Sequence, residues 1–95
     1  MAINTTIIVP PRVWTKVTAT AVTAVRLQNR GPHDVLLQGT VGSTPPVSTD
    51  GALALAPREV ILPDLTLADL WPGVSGVDTV WIRSSTSAEI SISHA

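Results

Sequence analysis

The sequence predicts an all-β fold, a single antiparallel β-sandwich or small barrel of about 7–8 short strands, with at most one short helical turn near residues 66–71. Three observations lead there. Apolar and polar residues alternate with period two along several segments. Clusters of Gly, Pro, Asn, Asp and Ser separate those segments at a spacing of roughly 8–12 residues. Only one stretch carries both a helix-start and a helix-stop signal.

The clearest strand is Ala88-Glu89-Ile90-Ser91-Ile92-Ser93-His94, in which Ala88, Ile90 and Ile92 face one way and Glu89, Ser91 and Ser93 the other. Before it, Val80 and Ile82 share a face of Asp78–Arg83, with Thr79, Trp81 and Arg83 opposite. The Ser/Thr-rich turn Ser84–Ser87 predicts that these two strands form a C-terminal hairpin. A second hairpin is expected in the first half. Ala21, Thr23, Val25 and Leu27 alternate with Val22, Ala24, Arg26 and Gln28, the turn Asn29-Arg30-Gly31-Pro32-His33-Asp34 follows, and Val35–Val41 returns. Thr5–Val9, Val13–Thr18, Ala52–Leu55 and Arg58–Leu62 read as further strands. Thr66-Leu67-Ala68-Asp69 has the form of a capping box, and Pro72-Gly73 stops the helical turn after Trp71.

Two segments read as irregular. Gly42–Gly51 is a long Pro-containing loop, of a length that is uncommon in a small domain and often functional. Pro10-Pro11 denies its junction regular ladder bonding. The expected organisation is therefore an extended N-terminal arm over residues 1–11 and one sandwich domain over 12–95.

Composition narrows the function classes. The 95 residues are 44% hydrophobic and 14% charged, with a mean hydropathy of +0.34. An average soluble domain is about 25% charged, and a chain this short has proportionally more surface to cover. Some apolar surface is thus expected to be buried against partner chains. The net charge is −1, and no cluster of Lys and Arg is present of the kind needed to displace counterions from phosphates, so no nucleic-acid partner is expected. Every apolar run is broken by Thr, Arg, Pro or Asp, so neither a membrane span nor a membrane partner is expected. Met1–Val9 lacks the basic start and the small-residue cleavage site of a signal peptide. Asn4-Thr5-Thr6 is then a chance match to the glycosylation pattern. The absence of cysteine fits synthesis in a reducing cytoplasm.

Nothing in the sequence assembles catalytic machinery, and no cofactor or metal is expected. His33 sits in a turn and His94 is the penultimate residue, whereas a metal site needs three or four ligands at recognisable spacing; both are expected at the surface. Asp50, Asp64, Asp69 and Asp78 neighbour turn and cap residues, which accounts for their type. Gly73-Val74-Ser75-Gly76 is close to a nucleophile elbow in letters, but no strand precedes it. The aromatic residues are Trp14, Trp71 and Trp81, far apart in sequence, and they are expected in the core or at a contact rather than as a stacking platform. Trp81 lies opposite Val80 and Ile82, so its strand is either buried on both faces or carries a subunit contact.

Several motifs together resemble small β-sandwich virion proteins of tailed bacteriophages. They are Val25-Arg26-Leu27-Gln28-Asn29-Arg30-Gly31 followed by Val35-Leu36-Leu37-Gln38, then Pro45-Pro46, Asp50 to Pro57, and the closing Val80-Trp81-Ile82-Arg83-Ser84-Ser85 with Ala88 to His94. The resemblance covers about residues 20–95 and implies a head decoration (cement) or other accessory virion protein. It implies a place on the capsid surface of the virion, with the major capsid protein and neighbouring copies of this chain as partners, in a homo-oligomer such as a trimer. Expected partner contacts are Ile3, Ile7, Val9, Pro45, Pro46, Val47, Trp71 and Trp81. The competing readings are a tail or spike module that binds host glycans, which would need an exposed tryptophan cluster, and a neck or tail connector.

Overall fold

A computed structural model describes residues 2–95; Met1 lies outside the described residues. The chain forms β1 (Ile3–Val9), β2 (Thr15–Lys16), β3 (Arg26–Asn29), β4 (Val35–Thr40), β5 (Leu53–Leu55), β6 (Val60–Ile61), the helical turn α1 (Leu67–Leu70), β7 (Thr79–Arg83) and β8 (Ala88–His94). The strands make two antiparallel four-stranded sheets, ordered β1-β8-β3-β6 and β2-β7-β4-β5. This is the β-sandwich that the alternation predicts. In β8 the phase holds throughout: Ala88, Ile90, Ile92 and His94 are buried, and Glu89, Ser91 and Ser93 are half-buried.

The connections differ from the sequence reading. β7 and β8 do not form a hairpin, because they lie in opposite sheets, and Ser84–Ser87 carries the chain across the sandwich. The turn after Asn29 does the same between β3 and β4. β1 to β2 and β5 to β6 are also crossings, so the four arches all lie at one end of the sandwich. Only β4 and β5 are both consecutive and paired among the described residues. A turn signal reports where the chain reverses. Whether the returning strand pairs with its predecessor or crosses to the facing sheet depends on which surfaces must be covered.

The N-terminal segment is corrected too. Residues 3–9 are a full strand of the domain, paired with β8 from Ile3↔His94 to Val9↔Ala88, and not an arm leaving it. Pro10-Pro11 ends that strand instead of detaching it. Arg12 then takes a positive φ of 62°, and Arg58 after Pro57 takes 66°. Both follow proline in tight turns, at the position where a type II turn favours glycine. Regular structure is shorter than expected elsewhere: Val13–Thr18 contributes only Thr15–Lys16, and Ala21–Val25 is irregular.

The core fills the space between the sheets. Val9, Leu27, Ile90 and Ile92 of one sheet meet Val35, Leu37, Leu55, Val80 and Ile82 of the other. Each fully buried aliphatic side chain contributes about 1.5–3 kcal/mol relative to exposure. The end opposite the arches is closed by Trp71, just beyond α1. The capping box forms as read, with Asp69 N donating to Thr66 Oγ1 at 3.1 Å and Thr66 N donating to Asp69 Oδ2 at 3.1 Å. Trp71 rests on Gly39, where a Cβ would stand 2.7 Å from its Cε3 and 2.6 Å from Val77 Cγ2.

His94 is not a surface residue. It is buried at the inward phase of β8, and its Nε2 accepts from Ala19 N at 3.1 Å while Nδ1 lies 2.9 Å from the Ala95 carbonyl. This pairing assigns the proton to Nδ1.

At the arch end, Asn29 is fully buried and fully engaged. Its Nδ2 donates to His33 O at 2.7 Å and Leu55 O at 3.1 Å, and its Oδ1 accepts from Gly31 N at 3.0 Å. Its backbone N–H donates to Glu59 O, and its carbonyl accepts from Arg58 N. Removing the side chain strands the His33 and Leu55 carbonyls and the Gly31 amide, and each buried unsatisfied group costs about 1–3 kcal/mol. Asn29→Ala is therefore expected to lower unfolding stability by about 2–4 kcal/mol in a urea titration. A change within experimental error would contradict this role.

Candidate interaction surface

The sandwich has two unlike ends. The arches carry Arg12, Arg30, Arg58 and Arg83, four of the six basic residues, interspersed with Asp34, Glu59 and Glu89. The opposite end, built from the loops at 17–25, 41–52 and 62–78, carries Asp50, Asp64, Asp69 and Asp78 with few bases. The ion pair Arg30 Nη1 to Glu89 Oε1, at 3.6 Å, is half-exposed and worth no more than about 1 kcal/mol.

Large apolar side chains are exposed towards both ends, Ile8, Val13 and Val60 beside the arches and four more at the loop end. Val47 is 98% exposed, and Val41, Leu62 and Leu65 are also exposed there. Beside Val47, a cleft of about 350 Å³ opens between the end of β4 and the 44–50 loop, lined by Thr40, Val41, Pro46, Val47 and Val74 together with Gln38. Gln38 Nε2 donates to Gly39 O at 3.0 Å, but its Oε1 is buried without a hydrogen-bond partner.

Local geometry explains how this loop is held. Gly42 has a positive φ of 65°, and its N–H donates to Asp78 Oδ1 at 2.9 Å. The same oxygen accepts from Thr79 Oγ1 at 2.9 Å. The Gly42 amide first, and the Thr79 hydroxyl second, hold the Asp78 carboxyl below its usual range. Asp78 thus joins the start of the 41–52 loop to the start of β7.

The sequence-predicted contact residues separate into four groups. Val9 and Trp71 are corrected: both are core residues, Val9 at 0% exposure and Trp71 seated on Gly39, so neither reaches a partner. Trp81 is buried on the outward face of β7, whose inward Val80 and Ile82 are also buried, so that strand is covered on both faces. β7 runs between β2 and β4, with Trp81 opposite Lys16 and Gln38, and its Nε1 donates to Thr40 Oγ1 at 2.8 Å. Pro45, half-buried Pro46 and exposed Val47 come together on the 41–52 loop, and half-buried Ile3 and Ile7 lie along β1.

The sequence reading missed Ile8, which is 59% exposed, and the pair Leu62 and Leu65. A signal existed for Ile8. In Ile7-Ile8-Val9, period two must turn the middle residue outward.

Comparison with protein-family models, with curated proteins and with solved structures finds no match.

The lowered carboxyl of Asp78 makes a pH statement. Its contribution is complete above the unfolded carboxyl value of about 3.9 and is lost as pH falls through the lower folded value. In acid titrations followed by circular dichroism, Asp78→Asn is expected to lose less stability than the parent between about pH 5 and 2. Identical acid limbs would contradict the assignment.

Proposed function

We propose that this chain is a structural virion protein that binds a phage capsid shell and stabilises it, as a decoration or cement protein does. The observation that carries the reading is the loop end: Val41 and Val47 are exposed at the rim of a cleft that Pro46 and Val74 also line, and Leu62 and Leu65 are exposed on the 62–66 loop. Exposed apolar groups rimmed by polar residues mark interaction sites. The motif resemblance to phage virion proteins supplies the kind of partner. The mechanism is linkage. Contacts made only with the assembled shell stabilise that state by mass action, and many copies acting together multiply a weak individual contact.

The glycan-binding alternative gains no support from the tryptophans. Sugar stacking needs an exposed ring face, but Trp71 and Trp81 are buried and Trp14 is half-buried at the opposite end of the sandwich from Trp71.

The purified chain is expected to bind empty, expanded shells and raise their melting temperature. Val47→Asp, on a fully exposed side chain, leaves the fold intact and is expected to weaken shell binding about tenfold or more, the equivalent of about 1.4 kcal/mol. Shells that neither bind the chain nor gain stability from it would overturn the reading.

A further inference from the structure

Four strands form the sheet edges: β1 and β6 in one sheet, β2 and β5 in the other. β2 and β6 have two residues each and β5 has three, the short edges by which proteins avoid unwanted strand pairing. β1 is different. It runs for seven residues, Ile-Asn-Thr-Thr-Ile-Ile-Val, without a charge, a proline or a glycine. Its composition is that of a strand built to be paired on both sides.

The hydrogen-bond phase shows which groups this edge presents. Arg30 N donates to Glu89 O at 2.9 Å, so Glu89, Ser91 and Ser93 direct their backbone groups towards β3. Ala88, Ile90, Ile92 and His94 therefore direct theirs towards β1, where they meet Val9, Ile7, Thr5 and Ile3. By the same alternation, Asn4, Thr6 and Ile8 turn their N–H and C=O groups to the open edge.

We propose that the chain pairs with a second copy of itself through an antiparallel β1–β1 ladder centred on Thr6. In that register Thr6 opposes Thr6 and Asn4 opposes Ile8, all with outward-facing backbone groups. Pro10 would oppose Ala2 and, lacking an N–H, ends the ladder there. The strand is uncharged, so two copies meet without like charges opposed. Beside the axis, Arg30 Nη1 donates to Thr6 Oγ1 at 3.2 Å and pairs with Glu89, so each copy brings a neutral couple able to exchange partners across the interface. Pairing also covers exposed Ile8 and the half-buried Ile3 and Ile7. The contact is isologous and closes at two copies. It does not depend on which assembly the protein joins.

The chain has no cysteine, so Thr6→Cys is a single reporter. A directly opposed pair, with Cα atoms about 5.5 Å apart, lies within disulfide reach. The full-length Thr6→Cys chain is expected to form a disulfide-linked dimer at least tenfold faster than Thr5→Cys, which opposes Ile7 of the other copy. The native chain should sediment as a dimer. Ile8→Lys and Thr6→Pro should sediment as monomers with unchanged circular dichroism, since neither touches a bond made within one copy's ladder. A native monomer at every soluble concentration overturns the proposal, as does equal cross-linking of the two cysteine variants. β1 amides protected only when another protein is added would assign the edge to a foreign strand and overturn it too. Shell binding by monomeric Ile8→Lys would leave the proposed function standing.

Discussion

A sandwich whose chain crosses between sheets four times at one end has a satisfaction problem there. Arch residues leave one ladder before they join the next, so their backbone groups lack strand partners. Asn29 supplies much of the solution. From the end of β3 it reaches the arch to β4 through Gly31 and His33, the end of β5 through Leu55, and the turn before β6 through Arg58 and Glu59. One buried asparagine, through its side-chain amide and its backbone together, thus ties two arches and both sheets. The positive-φ arginines sit in the neighbouring turns, where the chain reverses too sharply for ordinary backbone angles.

With that end closed by hydrogen bonds, the other end is closed by packing. Trp71 follows a single capped helical turn and lies against Gly39, and Leu67 N donates to Thr23 O at 2.7 Å to tether the turn. Long loops gather here, and with them exposed Val41, Val47, Leu62 and Leu65. The surplus hydrophobicity of the composition therefore has a location. It lies on the 41–52 and 62–66 loops, along the β1 edge, and at Val13 and Val60 beside the arches, whose charges are mixed.

Much of this architecture was legible. The strict alternation of Ala88–His94 and the capping box at Thr66–Asp69 identify their elements from local chemistry alone, because period and cap geometry are local properties. Apolar residues on both faces of Val80-Trp81-Ile82 left two outcomes open, a strand buried on both faces or a subunit contact, and the strand is buried on both faces. Asn29 and His94 were misread, as a turn residue and a surface histidine, although each falls at the inward phase of its strand, two residues beyond Leu27 and Ile92, and is buried with partners. Pairing was not legible. Turn residues at 29–34 and 84–87 specify a reversal in either a hairpin or an arch, and the choice depends on which sheet needs covering, a nonlocal condition. The same limit explains why Pro10-Pro11 read as the root of an arm and why Val9 and Trp71 read as contacts. Nothing local distinguishes an apolar residue facing the core from one facing a partner.

Exposed Val41, Val47, Leu62 and Leu65 mark the loop end as the proposed face against the shell. Locating the chain in a density map of the intact particle tests this most directly. The proposed decoration role predicts on the order of hundreds of copies on the shell, in keeping with its symmetry, each with the 41–52 loop against capsid subunits. A dozen or so copies confined to the neck, or shell-bound copies with the arch end inward and Val47 in solvent, would contradict it.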